Sequence, residues 1–254
     1  MWKLAFVVPC VLYPLLCISS IAHGYDQLDL DRLLKNNDCE YCNLVGADLR
    51  NANLTNSNLR GARLNHANLA GADLSGSNLR KAQLFRANMR ESNMANTYLT
   101  DAVLSHSDLS YASLVNSRLG RVDLTWANLT GTNLTGTKLG AARMFRAILT
   151  DANLAGADIW RASLGWVVLD GANLSRADLF DTYLWNASLI GTTFRKAQLS
   201  RSDLTNADAR NADFTNADLS EASIVYTDLR GAIMDKIIRC RTEMTETVDN
   251  SACF

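Results

Sequence analysis

Every fifth residue from Leu44 to Met234 is apolar, through 39 consecutive pentads without a slip in register; Ala209 is the shortest side chain in the series. The residue two places earlier is small: Cys42, Ala47, Ala52, Ser57, and so on to Thr227 and Ala232, with only Val122 and Val167 larger than Thr. A period of five fits neither a helix, which repeats its buried face near 3.6 residues, nor a strand, which repeats near 2. A strict short repeat is the mark of a solenoid, in which each unit buries its apolar face against its neighbours. In a pentad such as Ala47-Asp48-Leu49-Arg50-Asn51, the small residue and the Leu are two apart, so on an extended segment both point to one side. The other two residues must turn the chain. Four roughly right-angle turns close a square coil of 20 residues, with Leu filling the interior and Ala or Ser leaving it room.

Proline use supports this reading. Pro9 and Pro14 are the only two, and both precede the repeats. A coil stacked on neighbours above and below needs its backbone N–H groups, and Pro removes one.

Pentads such as Ala72-Asp73-Leu74-Ser75-Gly76 and Ala152-Asn153-Leu154-Ala155-Gly156 resemble the pentapeptide repeat proteins. The resemblance implies an all-β fold, a right-handed quadrilateral parallel β-helix, here with a short N-terminal helical cap. At ~4.8 Å per coil, almost ten coils make a rod on the order of 45 Å long. Burial of each Leu is worth ~1.5–3 kcal/mol, and backbone ordering offsets most of the sum. Ala209 occupies a Leu slot and leaves a hole there. Phe194 and Phe214, one coil apart on a neighbouring side, are the candidates to fill it.

Four segments are expected. Residues 1–24 read as a secretory signal peptide: Lys3, an apolar run from Leu4 to Ile21, and a small-x-small cleavage site at Ala22-His23-Gly24. The mature protein is expected to start at Tyr25 and to keep no stable membrane anchor. Residues 25–38, with Leu28, Leu30, Leu33 and Leu34 among charges, read as a helix closing the N-terminal end. Residues 39–234 are the repeats. Residues 235–254 form a C-terminal cap, with Ile237 and Ile238 as plugs. Such caps cover core and strand edge that the last coils expose.

Cys10 and Cys17 leave with the signal. The other four cysteines lie at the two ends of the rod, and export favours disulfides. Ten coils of separation exclude a bond, or a four-thiolate zinc site, spanning the ends. The expected bridges are therefore Cys39–Cys42 and Cys240–Cys253.

Removing Lys3 leaves 24 basic against 26 acidic side chains, too even a balance to predict a nucleic-acid partner. Residues 20 apart stack in columns, which turns the sequence into a surface map. One side carries His66, Arg86, His106, Trp126, Arg146, Trp166 and Tyr226 in one column, Phe85, Phe145 and Trp185 in the next, and Arg63, Arg143 and Tyr183 before the Leu. Aromatic residues with Arg are what interface centres favour, so this is the candidate face for a protein partner. The alternative is a self-stacked surface that serves stability alone. The preceding side carries Arg60, Arg80, Lys81, Arg118, Arg121, Lys138, Arg161 and Arg201, interrupted by Asp101, Asp158, Asp178, Asp181 and Glu221, and reads as a solvated face.

No catalytic, cofactor or metal site is expected. His66 and His106 stand two coils apart, about 9.6 Å, too far to share one metal ion. The abundant Asp residues occupy the repeat's polar slot, where they can hold a turn. The resemblance is to secreted or thylakoid-lumenal cyanobacterial members of the family, which share the helix cap, the early Cys-x-x-Cys and the Cys-bounded tail. It implies a non-enzymatic exported scaffold in the periplasm or thylakoid lumen, a monomer or weak dimer. The alternative within the family is a DNA mimic that binds gyrase, which requires a strongly acidic surface.

Overall fold

The computed structural model describes residues 24–244 and 247–249. Its body is a stack of four-sided coils. Parallel bridges join each polar-slot residue to the one 20 places on, in four series that begin Asp38–Asn58, Asn43–Arg63, Asp48–Asn68 and Asn53–Asp73. Each series is one side of the coil.

The five backbone N–H groups of a pentad account for the pattern. In the pentad of residues 127–131, Ala127 donates to Leu124 O at 2.9 Å and closes the corner turn. Asn128 donates to the coil before it, at Ser107 O. Leu129 and Gly131 donate to the coil after it, at Ile148 O and Thr150 O. The fifth, Thr130, donates to its own polar-slot side chain, Asn128 Oδ1, at 3.1 Å. The Asp/Asn preference of that slot is therefore an Asx turn, repeated at most corners whose slot holds Asp or Asn. The same amides also bond along the axis, as Asn128 Nδ2 does to Asp108 Oδ1 at 3.1 Å.

The last residue of nearly every pentad has positive φ, close to +60°. Ten of the fourteen glycines fall at this position, with many Asn and no β-branched residue. This matches the steric cost of left-handed backbone for branched side chains. His66, Arg86, His106, Trp126, Arg146 and Trp166 all sit there, with φ between 54° and 61°.

The interior is a continuous column of Leu with Met89, Met94, Met144, Ile159, Phe194 and Phe214, flanked by the small residues. Buried hydroxyls in the small slot return to Leu-slot carbonyls, as Thr137 Oγ1 does to Leu134 O and Thr132 Oγ1 to Leu109 O. Phe194 and Phe214 are fully buried and stack with centroids 4.9 Å apart and planes at 7°.

At the N-terminal end, helix α1 (Gln27–Asn36) is capped by Asp26, whose carboxylate accepts from Leu28 N and Asp29 N, and ends at Asn37 in the left-handed conformation. Leu33 is the buried residue of the helix and Leu30 packs on the core, while Leu28 and Leu34 face solvent. Asp29 and Arg32 fasten the helix to the first coil. Within the rod, the residue after a small slot donates to the coil before it. Asn43 donates instead to Asp29 Oδ2, at 2.8 Å, so the carboxylate takes the place of a missing coil. Arg32 donates to Asp38 O and Glu40 O. Cys39 and Cys42, both buried in the first coil, are joined by a disulfide.

The C-terminal end departs from the expectation. Parallel pairing does not stop at Met234: Asp218 pairs with Ile238, and Ser223 with Glu243. Ile238 thus falls in an outward polar slot and is half exposed, so it is no plug. Ile237 falls in the inward small slot and packs on the core. Strands β1 (Thr242–Met244) and β2 (Thr247–Asp249) then form an antiparallel hairpin. Cys240 is disulfide-bonded. The expected partner, Cys253, lies outside the described residues, as do the signal segment through residue 23 and most of the final tail.

Candidate functional site

The 20-residue period turns corner residues into columns running along the rod, and two adjoining columns of one corner together form a ladder of rings and guanidinium. His66 meets Phe85 edge-on at 5.7 Å, and Phe85 meets His106 edge-on at 5.5 Å. His106 lies parallel to Trp126, with planes at 6° and centroids 6.1 Å apart. The Arg146 guanidinium then sits over Trp126 at 4.7 Å and over Trp166 at 5.5 Å. Trp166 meets Trp185 edge-on at 6.4 Å, and Trp185 reaches back to Phe145 at 6.0 Å. Arg86 lies over Phe85 at 5.1 Å.

The ladder rests on details that column positions alone do not give. The ring between the two histidines is Phe85, from the neighbouring column, rather than Arg86. Trp185 folds toward the preceding coil and covers Gly165; a Cβ there would lie 2.7 Å from the indole. Gly165 is thus the seat on which the end of the ladder closes. Trp126 and Trp166 remain about half exposed, at 47% each. Arg143 lies on the same side and pairs with Asp123 at 2.7 Å. Tyr183 stands exposed beside the ladder, and Tyr226 lies three coils beyond Trp166.

The preceding side is neutralised across coils. Arg121 pairs with Asp101 at 2.8 Å, Lys138 with Asp158 at 3.3 Å, and Arg161 with Asp181 at 2.9 Å. Arg80 and Arg118 clamp the Tyr98 ring from either side, at 4.8 and 5.2 Å. These pairs are exposed and individually worth little, but they leave few cations there without a partner. The clamp went unread in the sequence, although its signal is the 20-residue spacing of Arg80, Tyr98 and Arg118 to within two positions.

The carboxylates with resolved shifts are all lowered. Asp101 is held down by the hydrogen bond from Arg121. Asp228 is lowered to about 2, first by the Arg230 side-chain hydrogen bond and then by its backbone N–H. These are signatures of surface pairing rather than of an acid or base poised for chemistry. Asp29 and the two half-cystines bring their ligand atoms within 4.8 Å of one another. Both sulfurs are committed to the disulfide, and metal ligation needs thiolates. Among the described residues no helix is long and apolar enough to cross a membrane.

The sequence profile described as pentapeptide repeats matches the chain in eight copies, over residues 42–80, 82–121, 108–144, 147–186, 169–208 and 197–235. No curated protein sequence matches the chain. Among solved structures, HetL is similar with a TM-score of 0.80 at 26% identity, over 87% of this chain and 97% of HetL. HetL is a pentapeptide repeat protein involved in heterocyst differentiation regulation in the cyanobacterium Nostoc sp. strain PCC 7120. Full-length QnrB1, a plasmid-mediated fluoroquinolone resistance protein, matches at 16% identity over 80% of this chain and 92% of its own, with a TM-score of 0.42. A pentapeptide repeat protein from the Arabidopsis thaliana thylakoid lumen matches at 24% identity over 47% of this chain and 69% of its own, with a TM-score of 0.21.

Proposed function

The chain belongs to the pentapeptide repeat family, and from that premise we propose a non-enzymatic scaffold, exported to the periplasm or thylakoid lumen, that holds a protein partner on the side of Trp126, Arg146 and Trp166. The right hand of the coil is assigned with the family. The observation that carries the reading is the ladder itself: half-exposed indoles gripping a guanidinium, on one side of a rod whose other charges are largely paired along its axis. Exposed aromatic groups with Arg are typical interface anchors, and clustered exposed rings on an exported protein call for a partner. The signal-like start, Lys3 through Gly24, supports export. The disulfide-bonded Cys39, Cys42 and Cys240 fit an oxidising compartment. Mimicry of DNA needs rows of unpaired carboxylates, and the Asp residues here are bound to arginines and turn amides.

The test is crosslinking and capture from the fractionated native host, with the parent protein and a Trp126→Ser/Trp166→Ser variant. Capture of a discrete partner by the parent and its loss in the variant is the expected result. Identical partner profiles for the two proteins would remove this side from consideration.

A further inference from the structure

The arginines of the ladder side differ from those elsewhere in how their charge is met. Many cations on the rod have a carboxylate one coil away, as Arg121 and Arg161 do, and Arg80 and Arg118 instead share the Tyr98 ring. Arg143 follows that rule with Asp123. Arg63, Arg86 and Arg146 do not: among the described residues none of the three side chains has a carboxylate at ion-pair distance, and those of Arg86 and Arg146 meet only aromatic rings. Arg146 is also held in place. Its guanidinium packs between Trp126 and Trp166, with Phe145 beneath at 5.5 Å. A guanidinium carries its five N–H donors in its own plane. Flanked by these rings and exposed at the surface, the side chain keeps its donors free of protein partners among the described residues. That is the geometry for a carboxylate taken edge-on by two hydrogen bonds.

We propose that this side takes an extended acidic segment of the partner, with two carboxylates four residues apart, one on Arg146 and one on Arg86. The proposal rests on the ladder side being the docking face. Arg86 and Arg146 are three coils apart, about 14 Å at ~4.8 Å per coil. An extended chain advances ~3.3–3.4 Å per residue and turns alternate side chains to one face. Four residues therefore span about 13.5 Å, and the residue midway faces the same way. It meets the stacked pair His106 and Trp126, a flat surface suited to an apolar side chain. The pattern is acid, any, apolar, any, acid. A nucleic acid would bring a denser row of charge than two unpaired arginines can answer, and it would run against Asp101 and Asp151 at the neighbouring corners. Charge complementarity thus favours a protein segment.

The probe is an acetylated peptide amide, Ser-Glu-Ser-Leu-Ser-Glu-Ser, titrated into isotope-labelled protein produced from the full-length chain. The indole N–H signals of Trp126, Trp166 and Trp160 are followed by NMR. The expected result is saturable shifts at Trp126 and Trp166 and none at Trp160, which lies at the preceding corner. Losing one charge-assisted hydrogen-bond pair should weaken binding about tenfold in Arg146→Gln and in Arg86→Gln. A peptide with Gln for both Glu, or with the two Glu adjacent, should bind at least as poorly. Arg146→Lys keeps the charge and loses the planar fork, so it should recover only part of the affinity. The proposal is overturned by absence of saturable shifts, by equal binding of the Gln peptide, or by full affinity in both arginine variants when their melting curves match the parent. Capture experiments separate it from the broader reading. A partner lost from Trp126→Ser/Trp166→Ser but retained by Arg146→Gln and Arg86→Gln would sink the acidic segment and leave the docking face. A partner retained by all of them would sink both.

Discussion

Asn128→Pro is expected to lower the stability of the protein by about 3 kcal/mol or more, a large loss for a residue on its surface. Position 128 lies mid-rod in a polar slot. Its N–H donates to Ser107 O at 2.9 Å, a bond that holds two coils together and that Pro cannot make. The side chain makes a separable contribution. Asn128 Oδ1 accepts from Thr130 N and Thr130 Oγ1, and Nδ2 donates to Asp108. Asn128→Ala removes those bonds and leaves the backbone, so it should cost only about 1 kcal/mol. Urea unfolding of the two variants compares them directly. Equal losses would mean that the axial backbone ladder is not what holds the coils together. The same argument explains why Pro9 and Pro14 have no counterpart anywhere in the repeats.

The second large effect is in the core. Phe214→Ala should cost about 3–5 kcal/mol, through lost transfer energy and the cavity left behind. Phe214 is 1% exposed and stacks on Phe194 at 4.9 Å. Both rings occupy slots that elsewhere hold Leu, so they bring extra volume to the interior. Ala209, fully buried on the adjoining side, is the slot that lacks it. If rings and Ala209 are matched, Ala209→Leu overpacks the coil and costs about 1–3 kcal/mol. Combining it with Phe214→Leu should cost clearly less than the sum of the two single changes, because each makes room for the other. A stabilised Ala209→Leu would show instead that a void remains beside Ala209.

Much of this architecture was legible because the repeat uses the chain's chemistry so regularly. The inward Leu and small slots follow from spacing, and the columns follow from closing a square every 20 residues. The Asx turns follow from Asp and Asn in the polar slot, such as Asp73 and Asn128. The positive-φ column was also written in the sequence, in Gly and Asn with no branched residue at the fifth position, but it is visible only once the turn is known. Side-chain direction was less legible. A column places Arg86 between His66 and His106, yet Phe85 takes that space, because an adjoining corner residue can turn along the axis. Trp185 reaches Phe145 only because Gly165 has no side chain to block it. At the ends the repeat loses its hold. Ile237 and Ile238 look alike by composition, but the continuing register sends one inward and the other outward. In α1, a single residue step of about 100° decides that Leu33 is buried and Leu34 is not.

The register is also what assembles the ladder, and it can be tested by moving it. Deleting residues 132–136 removes one whole pentad. Every Leu still points inward, but all that follows turns by one side of the coil. The residue one coil beyond Trp126 becomes Asp151 instead of Arg146. Pyrene labels at cysteines introduced by Trp126→Cys and Arg146→Cys report this directly, since excimer emission requires the two corners to stack. The parent sequence with this pair should give excimer emission, and the five-residue deletion should abolish it. In the deletion, labels on Trp126→Cys and Asp151→Cys should restore it. Excimer emission that stays with the 126/146 pair after the deletion, or a deletion that no longer folds, would contradict a four-sided coil whose faces are set by the count of 20.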